Sequence, residues 1–132
     1  MNIHSEDAMT EKSDMKRLIL NAAIQEFAQK GFDRTTMADI AKRAKIAVGS
    51  IYNYSESKVT LFENCAVLLL EEFSSFLQPS LLEKQERIYA IILRAFDYLK
   101  ADLARAKIIL IESFNFMINY PHSPIFQAII GF

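Results

Sequence analysis

Three side chains between residues 47 and 54 carry groups that can read base edges in double-stranded DNA. Asn53 has a carboxamide that can pair with both polar atoms of an adenine edge, and the Ser50 hydroxyl can donate or accept. Val48 offers an apolar surface for a thymine methyl group. No arginine lies in this stretch, so strong guanine recognition from it is not expected. These groups act together only if they lie on one short helix that enters the major groove.

The charges are unevenly distributed along a chain whose formal net charge is only -1. Residues 30–58 carry six basic and three acidic side chains, whereas residues 1–14 carry one basic and four acidic ones. Residues 61–132 carry six basic and eight acidic side chains. A locally positive stretch favours contact with phosphates, but a mixed, solvated surface gives the same count. Charge alone leaves both interpretations open.

The elements that would position these residues are helices. Three glycines and three prolines in 132 residues are too few turn formers for an all-β fold. Apolar residues recur at helical spacing over about 14–30, and Gly31 stands where a C-terminal cap belongs. A second helix over about 36–43 begins at Thr36, which has an acidic residue at capping-box spacing. After an interruption at 44–47, helical spacing resumes for two turns, which is the outline of a helix-turn-helix.

The second half of the sequence predicts three more helices and the start of another. The expected limits are Ser57 to Pro79, about 81–100 and about 103–120, with a last helix opened by Pro121 and Pro124. Ser57 and Asp102 can cap the first and third of these helices. The helix over 103–120 is apolar nearly all round, so we expect it to be buried.

Several classes of protein are excluded by what the sequence lacks. Its single cysteine, Cys65, and two isolated histidines predict no disulfide, no metal site and no cofactor. The acidic N-terminus does not resemble a signal peptide, and the longest strictly apolar run, 65–70, is far below the roughly 20 residues that span a bilayer. We therefore expect a cytoplasmic protein without a membrane segment. No phosphate loop, nucleophile elbow or histidine–carboxylate pair is present, so we do not expect an enzyme.

Residues 16–62 carry a family resemblance in many positions at fixed spacing. They include RLILNAAIQEF at 17–27, Lys30-Gly31-Phe32, Thr35-Thr36, Ile40-Ala41, Gly49-Ser50-Ile51-Tyr52, Lys58 and Leu61. This stretch resembles the N-terminal domain of TetR/AcrR-family transcriptional regulators. The resemblance implies an all-α fold, in which a three-helix DNA-binding head with a helix-turn-helix precedes a helical ligand-binding and dimerisation body. On this chain it implies a flexible tail at 1–13, the DNA-binding domain at 14–56 and a C-terminally incomplete effector-binding regulatory domain at 57–132.

Three residues depart from the family pattern. Lys45 stands where the family usually has the glycine of the turn, and so lacks easy access to the left-handed conformation. Ala47 replaces a serine that would cap the next helix, a difference of roughly 1 kcal/mol. Ser55 replaces an aromatic anchor. We therefore expect a head that folds but is less firmly seated on the following helix.

The resemblance implies a DNA-binding site that runs from the second helix to the start of the fourth. Its members are Thr36, Lys45, Ala47, Val48, Ser50, Tyr52, Asn53, Tyr54 and Lys58, with Lys42 and Arg43 as auxiliary anchors. Family positions that match Thr36, Tyr52 and Lys58 contact phosphate. The plainer alternatives are that Tyr52 belongs to the core, that Asn53 is a solvated or capping residue, that Thr36 is only a cap, and that the auxiliary cations are a solvated face.

The resemblance also implies an effector site in the body. Its candidate residues are Phe73, Phe96, Phe114, Glu112 and Met117. Aromatic residues and methionine at helical spacing are more often ordinary core, and we favour core for any one of them. Glu112 is more informative, because a carboxylate within an apolar helix needs a polar partner. That partner is an effector, a neighbouring helix or solvent.

Together these observations predict a ligand-responsive one-component transcriptional regulator, a repressor that binds a palindromic operator as a dimer. The resemblance implies a small apolar or amphipathic effector, and a homodimer formed through C-terminal helices that this sequence does not contain. The sequence stops inside the apolar stretch 125–132, so we expect an exposed apolar patch on the helix over 103–120. The alternative is a helical effector-binding or protein-interaction module that has lost DNA binding, which Lys45, Ala47 and Ser55 favour.

Overall fold

The structure is a computed structural model, and it describes residues 3–77, 84–124 and 127. The helices in these ranges are α1 (Ile3–Lys30), α2 (Met37–Ala44), α3 (Val48–Tyr54), α4 (Lys58–Phe76), α5 (Lys84–Ala101), α6 (Leu103–Lys107), a π-helical turn (Ile108–Glu112) and α7 (Ser113–Asn119). The described residues contain no strand, and the all-α expectation is confirmed. No helix within these ranges is long and apolar enough to cross a bilayer.

The chain divides into two compact units, Met1–Asn64 and Cys65–Phe132. The boundary therefore falls inside α4, later than the expected boundary between residues 56 and 57. The reason is that the first turns of α4 contribute Leu61 and Phe62 to the core of the first unit, where both are fully buried. The Phe62 ring meets the Phe27 ring edge-on, with 5.1 Å between centroids.

Helix α1 begins much earlier than the apolar periodicity indicates. The structure shows helix from Ile3, where we expected a flexible tail over 1–13. This first part of α1 is solvent-exposed from Glu6 through Leu18, and the Thr10 hydroxyl donates to the Glu6 carbonyl at 2.9 Å. Helix-forming residues without a glycine or proline suffice for a helical extension. Periodicity missed it because periodicity reports burial, and this segment buries no face.

Three predicted helix ends in the first unit are confirmed by their caps. Gly31 ends α1 with φ 80°, and its N–H donates to the Phe27 carbonyl at 2.9 Å. Thr36 caps α2 through a capping box, since its Oγ1 accepts from the Asp39 N–H and the Asp39 carboxylate accepts from the Thr36 N–H, both at 3.1 Å. Ser57 Oγ accepts from the Thr60 N–H at 3.1 Å before α4. These short-range bonds define the limits of the helices that carry the site.

In the second unit, one predicted helix cap is confirmed and one prediction about helix burial is wrong. Asp102 caps α6 by accepting from the N–H groups of Ala104 and Arg105. The expectation that the helix over 103–120 is buried all round is wrong, because only one face of it is covered. Its buried side chains are Ala106, Ile108, Glu112 and Phe116, whereas Leu103, Leu110, Ile111, Phe114 and Ile118 are exposed. Each of these apolar side chains is exposed individually, and the expectation of one contiguous apolar patch stays a prediction.

The single predicted helix over 103–120 is also interrupted by the π-helical turn. Glu112, the last residue of this turn, is buried and lies 4.0 Å from the Lys107 ammonium. A π-turn changes the residue spacing of a helix face, so the simple 3.6-residue pattern does not predict which side chains face inward. The expectations for Pro79 and for the chain beyond Gln127 lie outside the described residues.

Candidate nucleic-acid interface

Helix α3 is attached to the first unit by a buried aliphatic side chain and presents its other faces to solvent. Ile51 is 0% exposed and is the one buried residue of this helix. Val48 is 43% exposed, Tyr52 is 52% exposed and Asn53 is also exposed. The predicted base-reading groups therefore lie on the outer surface of a short helix. Ser50 and Tyr54 are half-buried at the edges of that surface.

The exposure of Tyr52 argues against the core alternative that the sequence left open. A tyrosine that belonged mainly to the core would bury its ring and show only its hydroxyl. Here more than half of the residue is exposed, so Tyr52 is not a core residue. The structure favours the surface interpretation of this residue.

The turn between α2 and α3 has the geometry that the sequence departures put in question. Lys45 adopts the left-handed conformation, with φ 59° and ψ 42°. Its N–H donates to the Lys42 carbonyl at 3.2 Å, and the Ile46 N–H donates to the Ala41 carbonyl at 3.1 Å. A lysine therefore occupies a conformation that glycine adopts without strain. Ala47 precedes α3 with an extended backbone and caps it with no side chain, as the sequence predicts.

Ser55 is the third residue that departs from the family pattern. It is buried at the end of α3, and its hydroxyl lies 3.3 Å from the Ser57 carbonyl oxygen, to which it donates. Its backbone N–H donates to the Ile51 carbonyl at 2.8 Å. A small polar residue therefore fills this site with its hydrogen bonds satisfied, where an aromatic ring was the family expectation.

The cations around α3 differ in how free they are to meet a phosphate. Lys42 and Lys45 are exposed. Arg43, expected as an auxiliary anchor, donates from Nε to the Glu26 carboxylate at 2.7 Å and from Nη2 to the Gln29 amide oxygen at 2.6 Å. Its guanidinium therefore joins α2 to α1, and its contact with phosphate stays a prediction. Thr36, the N-cap of α2, is exposed.

Glu26 is the buried charge that fixes α2 against α1. Its carboxylate accepts from Arg43 and lies 3.2 Å from the Lys30 ammonium, which in turn lies 3.3 Å from Asp39. Burial acts to raise the pKa of Glu26, but the hydrogen bonds from Arg43 and Lys30 outweigh it and hold that pKa below its ordinary value. Glu26 is therefore ionised at neutral pH. Sequence reasoning missed this network, although Glu26 and Lys30 have i,i+4 spacing on α1, because Arg43 is 17 residues from Glu26.

The predicted effector residues are not brought together in one enclosed site. Phe73 packs edge-on against Tyr98, with 5.3 Å between ring centroids. Phe96 is 61% exposed and Phe114 is 57% exposed, so these two rings are not enclosed. Glu112 is buried near Lys107, and Met117 is half-buried.

An ion-pair network that the sequence analysis did not anticipate lies in the second unit. Arg105 donates from Nη1 to Glu72 at 2.7 Å and from Nε to Asp102 at 3.1 Å, and the Tyr98 hydroxyl lies 3.3 Å from the same Glu72 oxygen. The spacing of Asp102 and Arg105 on one helix turn is the sequence signal that could have revealed part of it. The network joins α4 to the start of α6.

Comparison with known proteins identifies the class to which this head belongs. Residues 19–65 match the family described as "Bacterial regulatory proteins, tetR family". The uncharacterized HTH-type transcriptional regulator YhgD of Bacillus subtilis is 32% identical over 99 residues, which cover 72% of this chain and 51% of YhgD. The biofilm operon icaADBC negative transcriptional regulator IcaR of Staphylococcus aureus is 28% identical over 85 residues, 64% of this chain and 46% of IcaR.

Solved structures agree with this assignment. A putative TetR-family transcription regulator from Shewanella sp. PV-4 has a TM-score of 0.66 at 25% identity, covering 84% of this chain and 56% of that one. The fatty acid degradation regulator FadR from Bacillus halodurans has a TM-score of 0.61 at 26% identity, covering 74% and 53%. The helix-turn-helix domain over residues 19–65 is a TetR-family domain. The chain spans about half the length of the curated relatives it matches, both of which are named as transcriptional regulators.

Proposed function

We propose that this chain is a transcription regulator of the TetR type, a repressor whose α3 enters the major groove of an operator. The observation that carries the proposal is the placement of α3, which is anchored by the buried Ile51 and exposes Val48, Tyr52 and Asn53. The matched relative IcaR is named a negative regulator, which supports repression as the direction of control.

The proposed contacts follow from the exposed groups. Asn53 pairs with an adenine edge and Val48 packs on a thymine methyl, while Ser50 makes a hydrogen bond of either direction. Around them, exposed Thr36, Lys42, Lys45 and Tyr52 meet backbone phosphates, with Ala47 and Tyr54 at the margins of the contact. Because the cations are few, affinity depends on groove contacts as well as on charge.

The proposed assembly is a homodimer on a palindromic operator. Two heads related by a two-fold axis bind half-sites about 34–36 Å apart, or a multiple of that distance. A small apolar or amphipathic effector that binds one of two conformations more tightly shifts their populations and so controls operator binding. FadR is named as a regulator of fatty acid degradation. An amphipathic effector is compatible with the aromatic side chains of the second unit.

The test is binding to the DNA upstream of the protein's own gene, measured by fluorescence anisotropy over a range of salt concentrations. If Lys42 and Lys45 of each protomer meet phosphates, the slope of log K against log salt concentration is about -3.6 for a dimer. Asn53→Ala is expected to lower the preference for the operator over unrelated DNA about tenfold or more. Glu56→Gln, on an exposed residue outside the proposed contact, is the matched control. A chain with neither sequence preference nor salt dependence would be the interaction module of the alternative hypothesis.

A further inference from the structure

The first residue of α4, Lys58, is held by the loop that joins α1 to α2. Its ammonium donates to the Phe32 carbonyl at 2.8 Å and lies 3.4 Å from the Asp33 carbonyl oxygen. The same nitrogen lies 4.4 Å from the centroid of the Phe32 ring. Phe32 is itself buried, with its ring 5.9 Å from that of Phe27 and 5.3 Å from that of Phe62. Lys58 therefore binds a loop whose central side chain is part of the core.

This loop leads directly to the start of α2. The buried Thr35 holds it from the inside, because its Oγ1 lies 2.8 Å from the Gly31 carbonyl oxygen and 3.1 Å from that of Glu26. Lys58 holds it from the α4 side. The loop ends at Thr36, the exposed cap of α2 and a proposed phosphate contact. Whatever fixes the carbonyls of residues 32 and 33 therefore also limits where Thr36 lies.

The surroundings of Lys58 favour the cation where it is. A carbonyl oxygen accepts a hydrogen bond from an ammonium group, and an aromatic face attracts a cation. A phosphate that recruited this ammonium would have to compete with both carbonyls and with the ring. Lys45, in contrast, is exposed on the turn before α3.

We propose that Lys58 is a positioning residue of the DNA-binding head and not a phosphate ligand. It holds the loop over residues 31–36 so that Thr36 and the start of α2 are presented to the DNA backbone. This inference rests on the proposed function, and it reverses the role that the family resemblance implies for this residue.

The experiment compares Lys58→Met with Lys45→Met in the full chain, because methionine keeps an apolar stem and removes the charge. For Lys58→Met we expect amide exchange over residues 31–36 to become about tenfold faster and operator affinity to fall about tenfold at every salt concentration, with an unchanged salt slope. For Lys45→Met we expect the slope to become shallower by about 0.9 for each phosphate that the variant no longer neutralises. Affinities are measured at a temperature at which circular dichroism shows the variants to be folded.

A shallower salt slope for Lys58→Met overturns the proposal, as does unchanged exchange over residues 31–36. A double variant, Lys58→Met with Thr36→Ala, adds a second criterion. If Lys58 acts through Thr36, the operator affinity of the double variant equals that of whichever single variant binds less tightly. If the two single reductions in affinity multiply in the double variant, the proposal is contradicted. If the wild-type chain binds no DNA, the proposed function fails. The exchange measurement on the free protein then still decides whether Lys58 holds the loop.

Discussion

Replacing Glu26 with glutamine removes the charge that joins α1 to α2. The Glu26 carboxylate is buried and accepts from Arg43 Nε at 2.7 Å. A hydrogen bond to a charged group contributes about 1.5–3 kcal/mol, and the lower value applies because Arg43 reaches solvent. We therefore expect Glu26→Gln to destabilise α2 by about 1.5 kcal/mol, which makes the amides of residues 37–44 exchange about tenfold faster at pH 7. Hydrogen exchange read by mass spectrometry measures this directly.

The effect of Glu26→Gln should disappear in acid. The pKa of Glu26 is lower in the folded protein than its ordinary value of 4.5, so its ionised form stabilises the fold fully above that value. The stabilisation is lost as the pH falls below 4.5 through the folded pKa. Wild type and variant should therefore converge in acid, while the exposed control Glu56→Gln leaves α2 unchanged at all pH values. Equal exchange in α2 at pH 7, or a difference that persists undiminished at low pH, would refute the reasoning.

Four further expectations concern individual side chains. Ala47→Ser adds the missing N-cap and should stabilise α3 by about 1 kcal/mol, measured by urea unfolding with hydrogen exchange of the α3 amides as the probe. A decrease in stability would contradict the cap geometry. Lys45→Gly relieves the left-handed conformation and should stabilise the turn by up to about 1 kcal/mol, whereas Lys45→Ala should not. Cys65 is buried, which raises its pKa to about 12, so a thiol reagent at pH 8 should label it only after unfolding. Arg105→Met breaks two partly exposed ion pairs and should cost the second unit about 1 kcal/mol in the same urea assay, and no change would show that the network is only a surface feature.

Features set by neighbours in the sequence could be predicted, and features set by distant contacts could not. Thr36, Ser57 and Asp102 each cap a helix through bonds to residues two or three positions away, so their spacing in the sequence is sufficient evidence. The ion pair between Arg43 and Glu26 joins residues 17 positions apart, and Lys58 meets a carbonyl 26 positions away. Nothing in the local sequence distinguishes these cations from the exposed Lys42. For this reason the sequence predicts the capped helix ends well and the free cations poorly.

The two helix expectations that were wrong have one physical cause. Apolar periodicity indicates which residues could be buried, and it does not indicate whether anything covers them. The first part of α1 has no apolar face and is nevertheless helical, because helix propensity needs no partner. The helix over 103–120 is apolar nearly all round and still exposes Leu110 and Phe114, because only one side of it is covered. Helicity and burial are separate properties, and the sequence reports them through different signals.

The contacts that hold α3 in place are made by residues other than Val48 and Asn53, which are proposed to contact bases. A helix of seven residues is not stable alone in water, so its placement depends on the buried Ile51, on the turn at Lys45 and on the closed end at Ser55. None of these holding contacts involves Val48 or Asn53, whose side chains face solvent. In the proposed interface, substitutions at the exposed positions change which bases are read and leave the fold intact. Substitutions at the holding positions weaken the proposed binding to all DNA sequences alike.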